Sequence, residues 1–228
     1  MFNYIKYFFY LAFNWNLKIA YYILRQEIRG EKKYGIHTTG ADELKTLDKK
    51  GIDISHATIY MPVSYDLLEE LFAQTSNNKP QTTNHFLDIG CGKGRALCVA
   101  AHQGFNKVTG IDFSKELCLS AQKNLELTKQ KYPLLNYTIV NNDAFYFEIP
   151  ADVDCIFLFN PFDEIIMSGA VQNIMTSLQL APRPLSVLYV NPLHKELFIH
   201  AGFKEIHHCK KMKYLEALIL SYPFTGVG

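Results

Sequence analysis

Three glycines alternate at positions 90, 92 and 94, and an acid, Asp88, stands two residues ahead of the first. They close the run Phe86-Leu-Asp88-Ile-Gly90-Cys91-Gly92-Lys-Gly94, and helix-forming sequence from Arg95 to Ala101 follows at once. A short apolar strand that ends in glycines and feeds a helix lets backbone approach a ligand, because glycine lacks Cβ and tolerates positive φ. The start of the following helix offers unpaired N–H groups and a partial positive charge. Such a segment binds a nucleotide-like cofactor.

Spacing selects among cofactors. The dinucleotide fingerprint is G-x-G-x-x-G, whereas this chain reads G-x-G-x-G with Arg95 where the last glycine belongs. Asp88 would crowd a pyrophosphate but suits a ligand carrying an ammonium group. An amino-acid-bearing nucleoside, S-adenosylmethionine, meets both conditions. A second predicted strand, Lys107–Asp112, ends in an acid 20 positions after Gly92, placed to accept hydrogen bonds from ribose hydroxyls or to cap the helix after Ser114. A third ends at Asp143-Ala144 and a fourth at Asn160-Pro161-Phe162. Polar groups thus gather at the carboxyl ends of successive strands, the edge where open α/β sheets bind ligands.

On these residues the chain, over 84–222, resembles the class I (seven-strand, Rossmann-like) S-adenosylmethionine-dependent methyltransferases. The resemblance implies that Asp88, Gly90, Cys91, Gly92 and Gly94 hold the methionine portion, Asp112 the ribose, and Phe113 the adenine face. It implies contacts to the adenine amino group from Asp143 and Ala144, and a catalytic tip of Asn160, Pro161 and Phe162 facing the methyl donor. Asn160-Pro161-Phe162 is similar to the Asn/Asp-Pro-Pro-aromatic tip of methyltransferases acting on amino or amide nitrogen, with one proline fewer and with Asp163-Glu164 next. Those two acids either draw in a cationic amine or favour the helix that follows. Tyr60-Met-Pro62-Val-Ser64-Tyr65 resembles, over a short stretch, the entry to seven-strand protein-lysine methyltransferases, which would set Tyr60 and Tyr65 beside the methionine end.

The elements that must position these groups alternate. Helices are expected near 94–104, 115–130, 163–178 and 193–201, and strands near 106–112, 136–142, 153–160 and 185–191. Alternation means a doubly wound, mostly parallel sheet. The last two strands, 203–210 and 214–222, are too close in sequence for a parallel crossover and must form an antiparallel hairpin. The expected fold is therefore α/β, with a seven-stranded sheet, a C-terminal hairpin and an N-terminal helical extension.

Residues 1–29 read as one amphipathic helix, residues 30–80 as a lid-like arm and cap helix, and 81–228 as the methyltransferase domain. In the first segment no acid precedes Glu27, while Lys6, Lys18, Arg25 and Arg29 are basic. Lys6, Asn14, Asn16 and Lys18 interrupt every window of the ~20 apolar residues a membrane span needs, and no signal-peptide cleavage pattern follows. The helix packs on its own domain or a second subunit, or lies in a membrane interface. In the arm, Tyr34, His37, Thr38 and Thr39 form a donor cluster that looks too dense for a core. Ser64 is the expected N-cap of a helix burying Leu67, Leu68, Leu71 and Phe72.

A formal net charge of +1 gives no general drive toward nucleic acid, and no nucleic-acid partner is expected. Five scattered cysteines form neither a disulfide framework nor a zinc spacing, so a reducing cytoplasm is the expected compartment, with membrane association through residues 1–29 as a variant. His207-His208-Cys209 looks metal-like, but adjacent strand residues point to opposite faces, and no metal is expected. The leading expectation is methyl transfer to an amino or amide nitrogen of a protein side chain or small amine. A methyltransferase for a small or lipid-associated molecule, and a non-catalytic cofactor-binding partner docking through its first helix, are the alternatives.

Overall fold

The apolar residues of the central strands alternate between two cores. Phe86, Phe157 and Leu188 enter one cluster while Leu87, Ile156 and Val187 enter the other, as a strand buried on both faces requires. A computed structural model describes residues 2–40, 62–76, 84–159, 162–211 and 215–223, the side chains of residues 2 and 3 excepted. Its strands are β1 (His85–Ile89), β2 (Lys107–Asp112), β3 (Asn136–Asn141), β4 (Cys155–Phe159), β5 (Leu185–Val190), β6 (Lys204–Lys211) and β7 (Leu215–Tyr222). They form one sheet in the order β3-β2-β1-β4-β5-β7-β6, parallel except for β7, which pairs antiparallel with both β5 and β6. The expected α/β architecture and terminal hairpin are present.

The helices are α1 (Phe2–Asn14), α2 (Leu17–Tyr34), α3 (Tyr65–Ser76), α4 (Arg95–His102), α5 (Lys115–Lys131), α6 (Glu164–Leu180) and α7 (Lys195–His200). Side chains of α3, α4 and α5 share the first core cluster, and those of α6 and α7 the second, so the sheet is covered on both faces. Strand order reverses between β1 and β4, where Ile89 is paired with Leu158. That reversal opens a crevice beyond the carboxyl ends of the strands.

The N-terminal segment departs from the single helix expected over 1–29. Asn16, the residue that broke the apolar stripe, is the N-cap of α2, its side chain accepting from the Ile19 amide at 2.9 Å. The two helices pack on each other through Tyr7, Leu11, Ile19, Ala20 and Ile23. α2 then runs five residues past the expected end and stops at Gly35, whose φ of 72° is the left-handed cap. Gly30 sits where the helices must approach closely, since a Cβ there would lie 2.2 Å from the Tyr65 ring.

Two of the four residues of the arm's donor cluster prove to be core. Tyr34 and Thr38 are fully buried, while His37 points to solvent. The reason is a buried arginine that needs acceptors, described below. Ser64 does precede α3 and accepts from the Leu67 amide at 3.4 Å, and Leu67, Leu68, Leu71 and Phe72 are all buried. Residues 41–61, with the expected Tyr60 contact, lie outside the described residues.

Candidate active site

β1 delivers Asp88 to the crevice one residue before its end, and the chain turns through Gly90, Gly92 and Gly94 at φ of 82°, 52° and 79°. All three are in the left-handed region that side chains resist, which accounts for the alternating glycines. The amides of this loop are already engaged. Those of Gly90 and Cys91 both donate to the Ile111 carbonyl, that of Gly92 to Asp112 Oδ2 at 2.8 Å, and that of Gly94 to the Cys91 carbonyl. A pyrophosphate cradle needs such amides free. These four amides are therefore not available to a pyrophosphate, and the acids beside them, Asp88 and Asp112, suit a ligand with a positive group.

Asp88 is 2 % exposed, and no donor among the described residues reaches its carboxylate. Burial pushes its pKa well above the ordinary carboxylate range, and the neighbouring Asp112 pushes it further. Asp112 is also raised by burial, but the Ser114 and Gly92 amides at 2.8 Å stabilise its ionised form. Asp112 thus ionises first and leaves Asp88 waiting for a positive partner. Helix α5 is capped by Ser114, which accepts from the Leu117 amide, not by Asp112, whose Oδ1 reaches only the Ser114 amide.

The other expected groups fall as follows. Phe113 is half-buried at the tip of β2, which Asn141 of β3 ties down by donating to the carbonyls of residues 112 and 113. Asp143 is exposed beyond β3 and caps a short 3-10 turn by accepting from the Phe145 amide, while Ala144 is buried. Phe162 is 9 % exposed and packs into the second core cluster, so its ring is largely committed to packing. Asn160 and Pro161, the remaining tip residues, lie outside the described residues. Asp163 is the N-cap of α6, accepting from the Ile165 and Ile166 amides at 3.1 Å, which favours the capping reading of that acid.

Tyr65 is the expected cofactor residue that the structure moves elsewhere. It is fully buried, stacked on Tyr34 with ring centroids 5.6 Å apart, and Arg95 lies over its other face at 4.1 Å. Its hydroxyl meets Thr38 Oγ1 at 3.2 Å.

Arg95, the first residue of α4, is 3 % exposed and holds this whole region together. It donates to both Glu27 oxygens at 2.6 and 2.5 Å, to the Val63 carbonyl at 2.6 Å and, through Nε, to Thr38 at 2.8 Å. Glu31, one turn beyond Glu27, accepts from the Thr38 and Thr39 amides and from the Tyr4 hydroxyl, and these bonds hold its pKa down against burial. Asn124 of α5 then joins the arm to the glycine loop, bonding both backbone groups of His37 and the Lys93 carbonyl. Reading the sequence missed Glu27, Glu31 and Asn124. The one available signal was Glu27, the first acid in an otherwise basic segment.

Residues 86–180 match the family described as a methyltransferase domain, the stretch that contains the glycine loop and the first four strand tips. The chain carries an S-adenosylmethionine-dependent methyltransferase domain. Solved structures of low identity share the fold. One, provisionally named a methyltransferase, from Escherichia coli, is 17% identical, with a TM-score of 0.53, covering 71% of this chain and 90% of its own. Another, provisionally named a methylase, from Haemophilus influenzae, is 18% identical, with a TM-score of 0.50, covering 69% and 96%. The tRNA (uracil-54, C5)-methyltransferase of Pyrococcus abyssi, solved with S-adenosyl-L-homocysteine, is 15% identical, with a TM-score of 0.51, covering 72% and 40%. No curated protein matches by sequence. The methyltransferase uses S-adenosylmethionine, and the buried Asp88 carboxylate, which no donor of the described residues reaches, fits the ammonium group of that cofactor.

Proposed function

We propose that this methyltransferase transfers methyl to an amino or amide nitrogen, with Asn160 and the carbonyl that follows it as the groups that orient the acceptor. The observation that carries the reading is the Asn160-Pro161-Phe162 sequence directly after Phe159, the last residue of β4, next to β1 at the strand-order reversal. When bound, the cofactor supplies a methyl group already activated by a positive sulfur. What remains for the protein is positioning and proton handling. The Asn160 oxygen accepts one N–H bond of the acceptor and turns the nitrogen lone pair toward the methyl carbon. Asp88 binds the cofactor ammonium, Asp112 uses its remaining lone pairs on ribose hydroxyls, and Asp143, Ala144 and Phe113 flank the adenine. The chain divides on this reading into a helical extension, which runs on to Tyr34 from the expected end at residue 29, an arm and cap helix up to residue 80, and the catalytic domain over 81–228.

Asn160→Ala is expected to lower kcat about a hundredfold while S-adenosylhomocysteine affinity stays within threefold. Product linkage decides the acceptor: fragmentation mass spectrometry should place the methyl group on nitrogen and not on carbon or an ether oxygen, and the linkage should survive alkali. Loss of the label in alkali would instead indicate a carboxylate oxygen, and an unchanged kcat would remove Asn160 from the mechanism.

The surface of the N-terminal helix pair supports a peripheral contact with anionic lipid, on the cytoplasmic side of a membrane. Ile5, Phe9 and Phe13 form an exposed row on α1, continued by Trp15, Leu17 and Tyr21. Lys6, Lys18 and Arg25 are exposed beside it, and no acid occurs before Glu27. Apolar insertion flanked by positive charge is the chemistry of interfacial helices. No helix among the described residues is long and apolar enough to cross a membrane, and the five cysteines are free thiols, as a reducing compartment would keep them. Flotation with phosphatidylserine vesicles should carry the wild-type protein, and Phe9→Ser with Phe13→Ser should remain at the bottom of the gradient. Equal recovery of both would point to a protein partner for this face.

A further inference from the structure

Away from the crevice, at the β6 edge of the sheet, α3 and β6 bring together three side chains of metal-ligand type. Glu70, His207 and Cys209 each direct one ligand atom to a common point, all within 4.8 Å of one another. His207 and Cys209 are two apart on β6, so they share a face, while His208 between them faces the other way and pairs with Glu216 at 3.0 Å. A bulge between Glu205 and His207, where the register with β7 shifts, sets which residues of this edge strand look toward α3. Neighbours in sequence were the wrong pair to test for a shared metal. The right set was an alternate pair plus an acid 137 positions before His207.

Two details go beyond proximity. His207 Nε2 is buried and has no hydrogen-bond partner among the described residues, a cost a protein normally avoids. Glu70 Oε1 lies 3.9 Å from it. The Cys209 thiol, 9 % exposed, is also oriented to Glu70. Lys211 takes the other Glu70 oxygen, Oε2, and leaves Oε1 for the cluster.

We propose that Glu70, His207 and Cys209 form a binding site for a divalent cation of zinc type. The sulfur, nitrogen and oxygen donor set selects a borderline-soft ion over magnesium or calcium. Tetrahedral zinc, with bonds of about 2.0–2.3 Å, separates its ligand atoms by about 3.3–3.8 Å, so the three atoms close on the metal with side-chain adjustment alone. His207 Nε2 and Glu70 Oε1 give lone pairs. The Cys209 S–H bond breaks, its proton passes to solvent, and the thiolate takes the third position with water in the fourth. The bound ion clips the edge strand β6 to α3, a helix whose first residue, Tyr65, is in the Arg95 network. Nothing in this site depends on the methyl-transfer reading.

Zinc chloride is the probe, titrated against metal-stripped full-length protein in competition with a chromogenic chelator. One ion per chain is expected, with micromolar or tighter affinity, and a higher melting temperature with zinc than without. His207→Ala and Cys209→Ser should each weaken binding at least tenfold, and His208→Ala should leave it unchanged. Cobalt(II) should give a sulfur-to-metal charge-transfer band that Cys209→Ser removes. Retained S-adenosylhomocysteine binding by each variant shows that it has folded. Absence of stoichiometric uptake, or uptake that survives both His207→Ala and Cys209→Ser, would overturn the site.

Discussion

Asp88→Asn is expected to abolish most of the cofactor affinity and, in the same protein, to raise the stability of the ligand-free state. The two effects share one cause. Asp88 is buried beside Asp112 with no donor from the described residues, so ionising it in the free protein is unfavourable. An ammonium group in the cleft reverses this by giving the carboxylate a partner. Removing one member of a buried, hydrogen-bonded charge pair costs about 2–5 kcal/mol, so calorimetry with S-adenosylhomocysteine should show affinity reduced by about a hundredfold or more. An affinity within threefold of wild type would remove Asp88 from the cofactor site.

The pH dependence has a definite sign. In the unfolded chain Asp88 titrates at about 3.9, whereas in the folded, ligand-free protein its pKa lies well above the ordinary value. Between those two values the folded state holds a proton that the unfolded state has released. Stability therefore falls as pH rises through that window, and it is greatest below it. Asparagine cannot ionise and escapes the loss. At neutral pH the ligand-free variant should melt above wild type, by about 3 °C for each 1 kcal/mol in a domain of this size, and the difference should vanish near pH 4. Cofactor affinity runs the other way in the wild type, rising with pH as Asp88 becomes ready to ionise, and the variant should lack that rise. A ligand-free variant that melts below wild type at neutral pH would contradict the electrostatic account of the cleft.

The parts of this protein that were legible in its sequence are those encoded by chain neighbours. Asp88 and the three glycines occupy one turn, and their positive φ values are what alternating glycine announces. The terminal hairpin followed from the few residues between β6 and β7. Ser64 and the four apolar residues after it likewise describe one helix on their own. What failed was set by partners distant in sequence. Tyr34 and Thr38 looked like surface donors because nothing nearby showed that Tyr65 would stack on the first, or that Arg95, 57 positions beyond Thr38, would be buried against the second. Tyr65 was drawn toward the cofactor by a short resemblance and instead stacks between Tyr34 and Arg95. Asn16 looked like a flaw in one helix, when a polar residue on an apolar stripe was the start of a second. His207 and Cys209 gained meaning only when Glu70 was placed opposite them.

The ion pair between Glu27 and Arg95 is expected to show the largest stability effect of any single side chain outside the cleft. Glu27 is 1% exposed and Arg95 3%, and their contact is bidentate, at 2.6 and 2.5 Å. Breaking such a pair leaves an uncompensated buried charge, at a cost of about 3–5 kcal/mol. Glu27→Gln should therefore lower the melting temperature by about 10 °C, since 1 kcal/mol is worth about 2–4 °C in a chain of this length. Replacing both partners by apolar residues of similar size, Glu27→Leu with Arg95→Met, removes the orphaned charge along with the attraction. The double variant should recover much of the lost stability, leaving the Thr38 and Val63 acceptors as the residual cost. Cofactor affinity supplies the functional reading. Arg95 opens the helix directly after Gly94, and Thr38 belongs to the arm that Asn124 binds to the glycine loop. Glu27→Gln should weaken S-adenosylhomocysteine binding even at temperatures where the protein remains folded. A single variant less than 1 kcal/mol below wild type, with unchanged cofactor affinity, would mean that the N-terminal helices ride on the catalytic domain without supporting its cofactor loop. The expected result makes them part of the cofactor site's foundation, and it gives any contact made by the exposed face of α1 a physical route to the glycine loop.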